Sequence, residues 1–79
     1  MVAYKMIVSL NTVPVGKTCS VENLNFVGEK RRRMLDLGLI KDTEIEVLHK
    51  SPFGDPVAYF FKGTIIALRK EDAEQILVR

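Results

Sequence analysis

The sequence predicts a small, mostly β domain whose sheet curls into a partly open barrel. Its 79 residues are enough for one domain, which we expect to span residues 1–79. Turn-forming residues recur at short intervals, and segments of about six to ten residues lie between them, a length that suits strands better than helices. Hydrophobic residues make up 47% of the chain and charged residues 28%, so a folded core is expected and disorder is not.

Five segments carry a strand signal, either alternation of polar and apolar residues or a high content of aromatic and β-branched residues. They cover residues 18–22, 43–50, 57–62, 64–69 and 76–78. Residues 51–56 are dense in turn formers, and Gly63 separates the third strand from the fourth as a tight hairpin or a bulge. A sheet of five strands this short is expected to curl, because closing the sheet removes exposed edges.

One helix is predicted over residues 29–37, between the first and second strands. The segment consists of good helix formers apart from Asp36, and Glu29 places a negative charge in the first turn. Gly38 followed by Leu39 matches a left-handed C-terminal cap with its hydrophobic contact, so we expect a positive φ at Gly38. A single helical turn is also predicted over residues 71–75, before the last strand.

Composition and motifs exclude several classes of function. No apolar run reaches the roughly 18–20 residues that span a membrane, and the N-terminus lacks the pattern of a signal peptide. A single cysteine cannot form an internal disulfide, so the cytoplasm is the predicted compartment. The chain has no Ser/His/Asp arrangement, no phosphate-binding glycine loop and no paired carboxylates in an apolar setting. We therefore expect no enzyme activity, no cofactor and no membrane insertion.

A metal site is not expected either. Such a site needs three or four converging ligands, and the chain has one histidine, His49, and one cysteine, Cys19, thirty residues apart. Glu44 or Glu46 could lie near them, but no ligand spacing indicates a site. The favoured interpretation makes Cys19 a small core residue and His49 a surface residue at the end of a strand.

The apolar residues around the helix are the main candidates for contact with a partner. Five large ones follow each other closely: Met34, Leu35, Leu37, Leu39 and Ile40. A barrel of this size can bury about three of them, and the rest would form a partner-facing patch. The alternative is that all five cover one open end of the barrel.

The strand at 57–62 raises a similar question. Tyr59 and Phe61 lie on one side of this strand and Phe60 on the other, so one side carries an exposed aromatic residue unless something covers it. Weak self-association through this strand would also explain such a surface. The candidate partner-binding residues are Arg31, Met34, Leu35, Leu37, Leu39 and Phe60.

The run Lys30-Arg31-Arg32-Arg33 is the one dense basic segment, and three interpretations stay open. It can be a solvated helix face, an electrostatic docking patch for an acidic protein surface, or a nucleic-acid patch. The net charge of +2 is low for a nucleic-acid-binding domain, and the aromatic residues of the strand at 57–62 lie about twenty-five residues away. We therefore expect no nucleic-acid partner.

Four motifs, in register over about residues 10–79, resemble the ferrous iron transport protein A (FeoA) family. The helix end RMLDLGL at 33–39 is similar to the arginine and leucine-glycine-leucine pattern of that family, and SPFGDPV at 51–57 is similar to its proline-rich turn. Residues 66–78 resemble its closing strands, and Leu10 and Gly16 suit its opening leucine and glycine. The family commonly has proline-glycine where this chain has Lys41-Asp42, but Asp also tolerates left-handed turns.

The resemblance implies an SH3-like barrel that accompanies the FeoB ferrous iron transporter on its cytoplasmic side, where FeoB carries a GTPase domain. A related module forms the C-terminal domain of diphtheria-toxin-repressor-type regulators. No DNA-binding helix pair precedes the module here, which favours a transporter accessory over a regulator. A nucleic-acid-binding small barrel and a metal-responsive regulatory module are the alternative functions.

Overall fold

Six antiparallel strands and two short helices make up the computed structural model, which describes residues 6–79. The strands are β1 (Val8–Ser9), β2 (Thr18–Leu24), β3 (Glu44–Lys50), β4 (Val57–Phe61), β5 (Thr64–Leu68) and β6 (Ile76–Val78). The helices are α1 (Gly28–Asp36) and α2 (Lys70–Ala73), and a 3₁₀ turn (Leu10–Thr12) follows β1. The strand order in the sheet is β1-β6-β2-β3-β4-β5. The mostly β class and the predicted order of elements are confirmed.

The predicted number of strands was one too low. β1 has two residues, and it pairs with β6 through Val8 opposite Val78 and Ser9 opposite Leu77. A strand of two residues is too short to show a period of two, so the sequence pattern carried no signal for it. The helix boundaries differ slightly from the prediction, since α1 begins and ends one residue earlier than expected and α2 runs from Lys70 to Ala73.

β2 gives the sheet its curl, because it pairs with two different strands along its length. Its first half pairs with β3, where Cys19 lies opposite Ile45, and its second half pairs with β6, where Leu24 lies opposite Ile76. A register shift after Val21 marks the change of partner. The irregularity lets one strand serve both halves of the sheet, which therefore forms a partly open barrel.

The core lies inside this curl and is built from alternate residues of the strands. Tyr59 and Phe61 of β4 lie on one side of the strand and Phe60 on the other, as predicted, and the structure shows that the side of Tyr59 and Phe61 faces the core. The largest fully buried side chains are Tyr59, Phe61, Leu10, Leu39, Ile45, Ile76, Val21, Val47 and Val78. Gly63 lies in a tight hairpin: Phe61 pairs with Thr64, and Lys62 and Gly63 between them both have positive φ.

The side chain of Arg79 holds the end of β6 against the turn that precedes β3. Its guanidinium donates to the carboxylates of Glu22, at 2.7 Å, and Asp42, and to the backbone carbonyl of Val21, at 3.1 Å. Asp42 has a φ of 71°, so the left-handed turn expected at this position is present. The hydrogen bond from Arg79 holds the pKa of the Asp42 carboxyl below its ordinary value.

Replacing Asp42 by Asn tests this ion pair, because Asn also tolerates a positive φ but carries no charge. A carboxyl whose pKa is lowered by folding contributes stability above its unfolded pKa of about 3.9, and that stability is lost as the pH falls through the lower folded-state pKa. We expect Asp42→Asn to be less stable than the parent at neutral pH, in urea unfolding, and the two proteins to converge below about pH 4. A difference that stays constant down to pH 2 would contradict the assignment.

Candidate partner-binding surface

The end of α1 is a Schellman cap centred on Gly38. Gly38 has a φ of 105°, its N–H donates to the carbonyl of Leu35 at 2.9 Å, and the N–H of Leu39 donates to the carbonyl of Met34 at 3.2 Å. This pair of hydrogen bonds satisfies carbonyls that the helix leaves free, and it brings the residue after the glycine back over the last turn. The positive φ expected at Gly38 is confirmed.

The cap decides which apolar residues of this region are buried. A Schellman motif places a hydrophobic contact between the two positions occupied here by Met34 and Leu39, and both side chains lie in the core cluster. Met34 and Leu39 were predicted to belong to the partner-facing set, and the structure corrects this, because the cap packs them against each other beneath the surface. Two residues of the five are buried, not three.

The remaining three stay at the surface of the helix exit. Leu37 is 42% exposed, Ile40 is 48% exposed, and Leu35 lies at the margin of exposure. We call this group of Leu35, Leu37 and Ile40 the helix-exit surface. An apolar cluster of this kind beside a charged helix face is typical of a region that contacts another protein.

Phe60 shares a depression with two residues that touch Gly38, the glycine of the α1 cap. The hydroxyl of Thr43 donates to the carbonyl of Gly38 at 2.9 Å, and the aliphatic part of Lys62 lies over Gly38. Thr43, Lys62 and the partly exposed Phe60 line one depression of about 260 Å³. The structure thus gives Phe60 and Gly38 two common neighbours, Thr43 and Lys62, although twenty-two positions separate Phe60 from Gly38 along the chain.

In the basic run of α1, Lys30 and Arg31 contact other parts of the fold, whereas Arg32 and Arg33 form no ion pair within residues 6–79. Lys30 forms an ion pair with Asp72 at 2.5 Å, and Arg31 donates to the backbone carbonyl of Leu24 at 2.8 Å. Arg31, a predicted contact residue, therefore has a structural partner in β2 and is only half-exposed. Arg32 and Arg33 are exposed and form no ion pair within residues 6–79.

Sequence reasoning missed a second cavity, which lies on another part of the molecule. Its volume is about 330 Å³, and its lining includes Tyr59 at the inner side and Phe53 at the rim. Burial raises the pKa of Tyr59 to about 12, so its hydroxyl stays protonated at neutral pH. The lining residues come from three separate segments of the chain, and no local motif could have indicated that they meet.

Cys19 lies in the core and His49 lies at the surface near the end of a strand, as the favoured interpretation predicted. Cys19 is buried, and burial raises the pKa of its thiol to about 11, so the thiolate form that binds metals is disfavoured. His49 is exposed on β3. Across residues 6–79, no group of three or more His, Cys, Asp or Glu side chains is placed to hold a metal ion. Over the same residues, neither helix is long and apolar enough to cross a membrane.

The comparisons with known proteins agree with the geometry. The family model described as the FeoA domain matches residues 8–79. The solution structure of a FeoA-like protein from Clostridium acetobutylicum is 33% identical, with a TM-score of 0.85 over 96% of this chain and 88% of that chain. The FeoA of Stenotrophomonas maltophilia, solved with zinc, is 27% identical, with a TM-score of 0.78 over 90% of this chain and 88% of that chain.

The second of these relatives is described as an SH3 domain protein and proposed as a ferrous iron transport activating factor. A manganese-dependent transcriptional repressor shares the fold at 19% identity, with a TM-score of 0.80 over 98% of this chain and 43% of the repressor. The partly open barrel is therefore SH3-like. No curated protein matches this sequence.

Gly38→Val tests the cap. A φ of 105° is strained for any residue with a Cβ, and a Cβ here would also lie 3.0 Å from the Lys62 side chain. We expect a loss of roughly 1–2 kcal/mol or more in the free energy of unfolding, measured with urea. Lys62→Ala serves as the control. It removes the side chain that a Cβ at position 38 would meet, but it leaves the positive φ at Gly38 unchanged. A stable Gly38→Val protein would contradict our account of the helix end.

Met34→Gln and Leu37→Gln form a matched pair that separates core from surface. Met34 is buried and Leu37 is 42% exposed, three residues further along the chain. We expect Met34→Gln to lower the free energy of unfolding by about 2–4 kcal/mol, and Leu37→Gln to change it by less than about 1 kcal/mol. Thermal and urea unfolding measure both values. Equal losses would mean that Leu37 is also a core residue.

Proposed function

The chain belongs to the FeoA family, and from that premise we propose that it is an accessory protein of ferrous iron uptake that binds a FeoB-type ferrous iron transporter. The match to the FeoA domain over residues 8–79 carries this proposal. The described relatives support it, since one of them is itself proposed as a ferrous iron transport activating factor. The protein acts in the cytoplasm by contact with its partner, and it carries out no reaction of its own.

The helix-exit surface is the place where we expect this contact. It presents apolar side chains at the end of the helix that carries Arg32 and Arg33, whose exposed guanidinium groups form no ion pair within residues 6–79. Glu29 and Asp36 line the same depression as these two arginines. Apolar residues supply the desolvated centre of a protein interface, and the arginines favour an acidic rim on the partner. The predicted contact residues in this proposal remain Leu35, Leu37, Phe60 and Arg31. Arg31 would act indirectly, because its hydrogen bond to the Leu24 carbonyl fixes the start of α1. The transporter's cytoplasmic GTPase domain or a membrane-proximal part is the proposed target.

A protein of this kind can act only by binding one state of its partner more tightly than another. The ligand's differential affinity sets how far it shifts the partner's equilibrium. We therefore expect the affinity for the transporter to depend on the nucleotide bound to the GTPase domain. The direction of that dependence distinguishes an activator from an inhibitor.

The contacts that Lys30 and Arg31 make within the fold argue against the nucleic-acid alternative. Nucleic-acid affinity grows with the number of phosphates that cations neutralise, and two of the four basic residues are engaged within the fold. Arg32 and Arg33 would contribute a small number of phosphate contacts. A steep loss of binding to DNA or RNA with rising salt would identify that alternative.

Calorimetric titration with the GTPase domain of the cognate transporter tests the proposal, in the absence and presence of GDP and a GTP analogue. We expect binding in at least one nucleotide state, and a loss of about tenfold or more on Leu37→Gln, as for an interface anchor. Phe53→Gln is the matched control, because Phe53 is 96% exposed in a different loop. Failure to bind both the GTPase domain and the full-length transporter in every nucleotide state would overturn the proposal.

A further inference from the structure

β5 is an edge strand whose own sequence and register lack the features that usually protect such an edge. It lies at one end of the sheet and runs in regular register along β4 over all five of its residues. Its sequence, TIIAL, has no charge, no proline and no glycine, and its register contains no bulge. Natural sheets commonly block an edge with one of these devices, because unpaired backbone groups attract another strand. The opposite edge, β1, is protected by being only two residues long.

The hairpin geometry shows which backbone groups of β5 are free. In a two-residue hairpin the flanking pair, here Phe61 and Thr64, exchanges both backbone hydrogen bonds, and bonded and non-bonded pairs then alternate along the ladder. The N–H and C=O groups of Ile65 and Ala67 therefore point away from β4. Within residues 6–79, no backbone hydrogen bond outside the β4–β5 ladder involves β5.

The outer face beside this edge is apolar. Ile65 is 64% exposed and lies directly opposite Phe60 on β4, and the exposed Ala67 lies opposite Ala58. A strand added at the edge would place alternate side chains next to Ile65 and Ala67 on this face. The edge thus offers backbone hydrogen bonds and an apolar side-chain contact together.

Basic side chains flank both ends of the edge, and the acidic Asp55 and Glu71 lie beside the second end. Lys62 lies in the hairpin before β5, and Arg69 and Lys70 follow it. Arg69 has a distant partner in Asp55, at 3.7 Å, whereas Lys62 and Lys70 have no ion-pair partner within the described part of the chain. The glutamates of β3 lie two strands away, so they would be roughly 14 Å from an added strand, which exceeds the screening length of about 8 Å in physiological salt.

We propose that the β5 edge binds an extended segment of a partner protein, with apolar or β-branched residues at its centre and acidic residues at both ends. The segment adds to the sheet as a further strand. The charges argue against a second copy of this chain. Two copies related by a twofold axis at Ile66 would place Lys62 of each copy at the same end as Arg69 and Lys70 of the other, so that like charges would meet.

This inference stands independently of the proposed transporter contact, because it rests on different residues. The helix-exit surface is tested through Leu37, and the β5 edge is tested through Ile65 and Ala67. Either site can fail while the other succeeds. The two results are therefore distinguishable even if one partner uses both surfaces.

The test uses nuclear magnetic resonance with a defined peptide. The probe is a capped nine-residue peptide with alternating valine and threonine in its centre and two glutamates at each end, and the control peptide has lysines in place of the glutamates. We expect the glutamate peptide to shift the amide signals of Ile65 and Ala67 and to slow their hydrogen exchange. Its affinity should exceed that of the lysine peptide by about tenfold at low salt, and this ratio should shrink as salt is added.

Two variants check the mode of binding. Ala67→Pro removes one outward N–H and leaves the β4–β5 ladder intact, since proline is tolerated at an edge where the N–H faces solvent. We expect it to weaken the glutamate peptide by about fivefold, as for the loss of one hydrogen bond. Should Ala67→Pro not fold, Ile65→Lys supplies the same readout by placing a charge at the centre of the edge. Ile7→Lys is the matched control, because Ile7 is an exposed isoleucine near the opposite edge.

Three outcomes would overturn the proposal. The first is a glutamate peptide that leaves the Ile65 and Ala67 amides unchanged at millimolar concentration. The second is equal binding of the glutamate and lysine peptides. The third is protection of the same amides that grows with protein concentration in the absence of peptide, which would identify a second copy as the occupant.

Discussion

At Gly38, α1 ends in a backbone conformation that glycine alone adopts without strain, and the two hydrogen bonds made there decide which side chains the domain buries. They return Leu39 onto Met34, and this contact joins the helix to the core. The residues between and after them, Leu37 and Ile40, are left at the surface. One local geometry therefore produces both a stabilising contact and a candidate binding surface.

The cap is connected to the sheet through Thr43. Its hydroxyl satisfies the carbonyl of Gly38, and its own backbone carbonyl accepts a hydrogen bond from Val21 at the bend of β2. Because β2 pairs with β3 before this bend and with β6 after it, the same small region sets the helix end and the curl of the sheet. The helix-exit surface therefore lies beside the region where the sheet changes pairing partner.

Much of the fold could be predicted, since its signals are local. Alternation predicted the strands β3 and β4 and that Tyr59 and Phe61 share one side of β4, helix-forming residues predicted α1, and glycine placement predicted the cap and a hairpin or bulge at Gly63. β1 could not be predicted, because its two residues are held by pairing with β6, nearly seventy residues away. For the candidate site, composition indicated a group of five apolar residues around the helix end, of which the structure buries Met34 and Leu39. The separation of Met34 and Leu39 from the rest required the cap contact to be seen in three dimensions.

By itself, the sequence determined a mostly β domain with one helix, a left-handed turn at Gly38 and a resemblance to the FeoA family that the family match confirms. These follow from local preferences, which act over a few residues. Only the tertiary structure decided that Arg31 is tied to β2, that Phe60 shares a depression with Thr43 and Lys62, and that β5 is an edge strand. The reason is physical: exposure and edge position depend on what packs alongside a residue, and the packing partners come from distant parts of the chain.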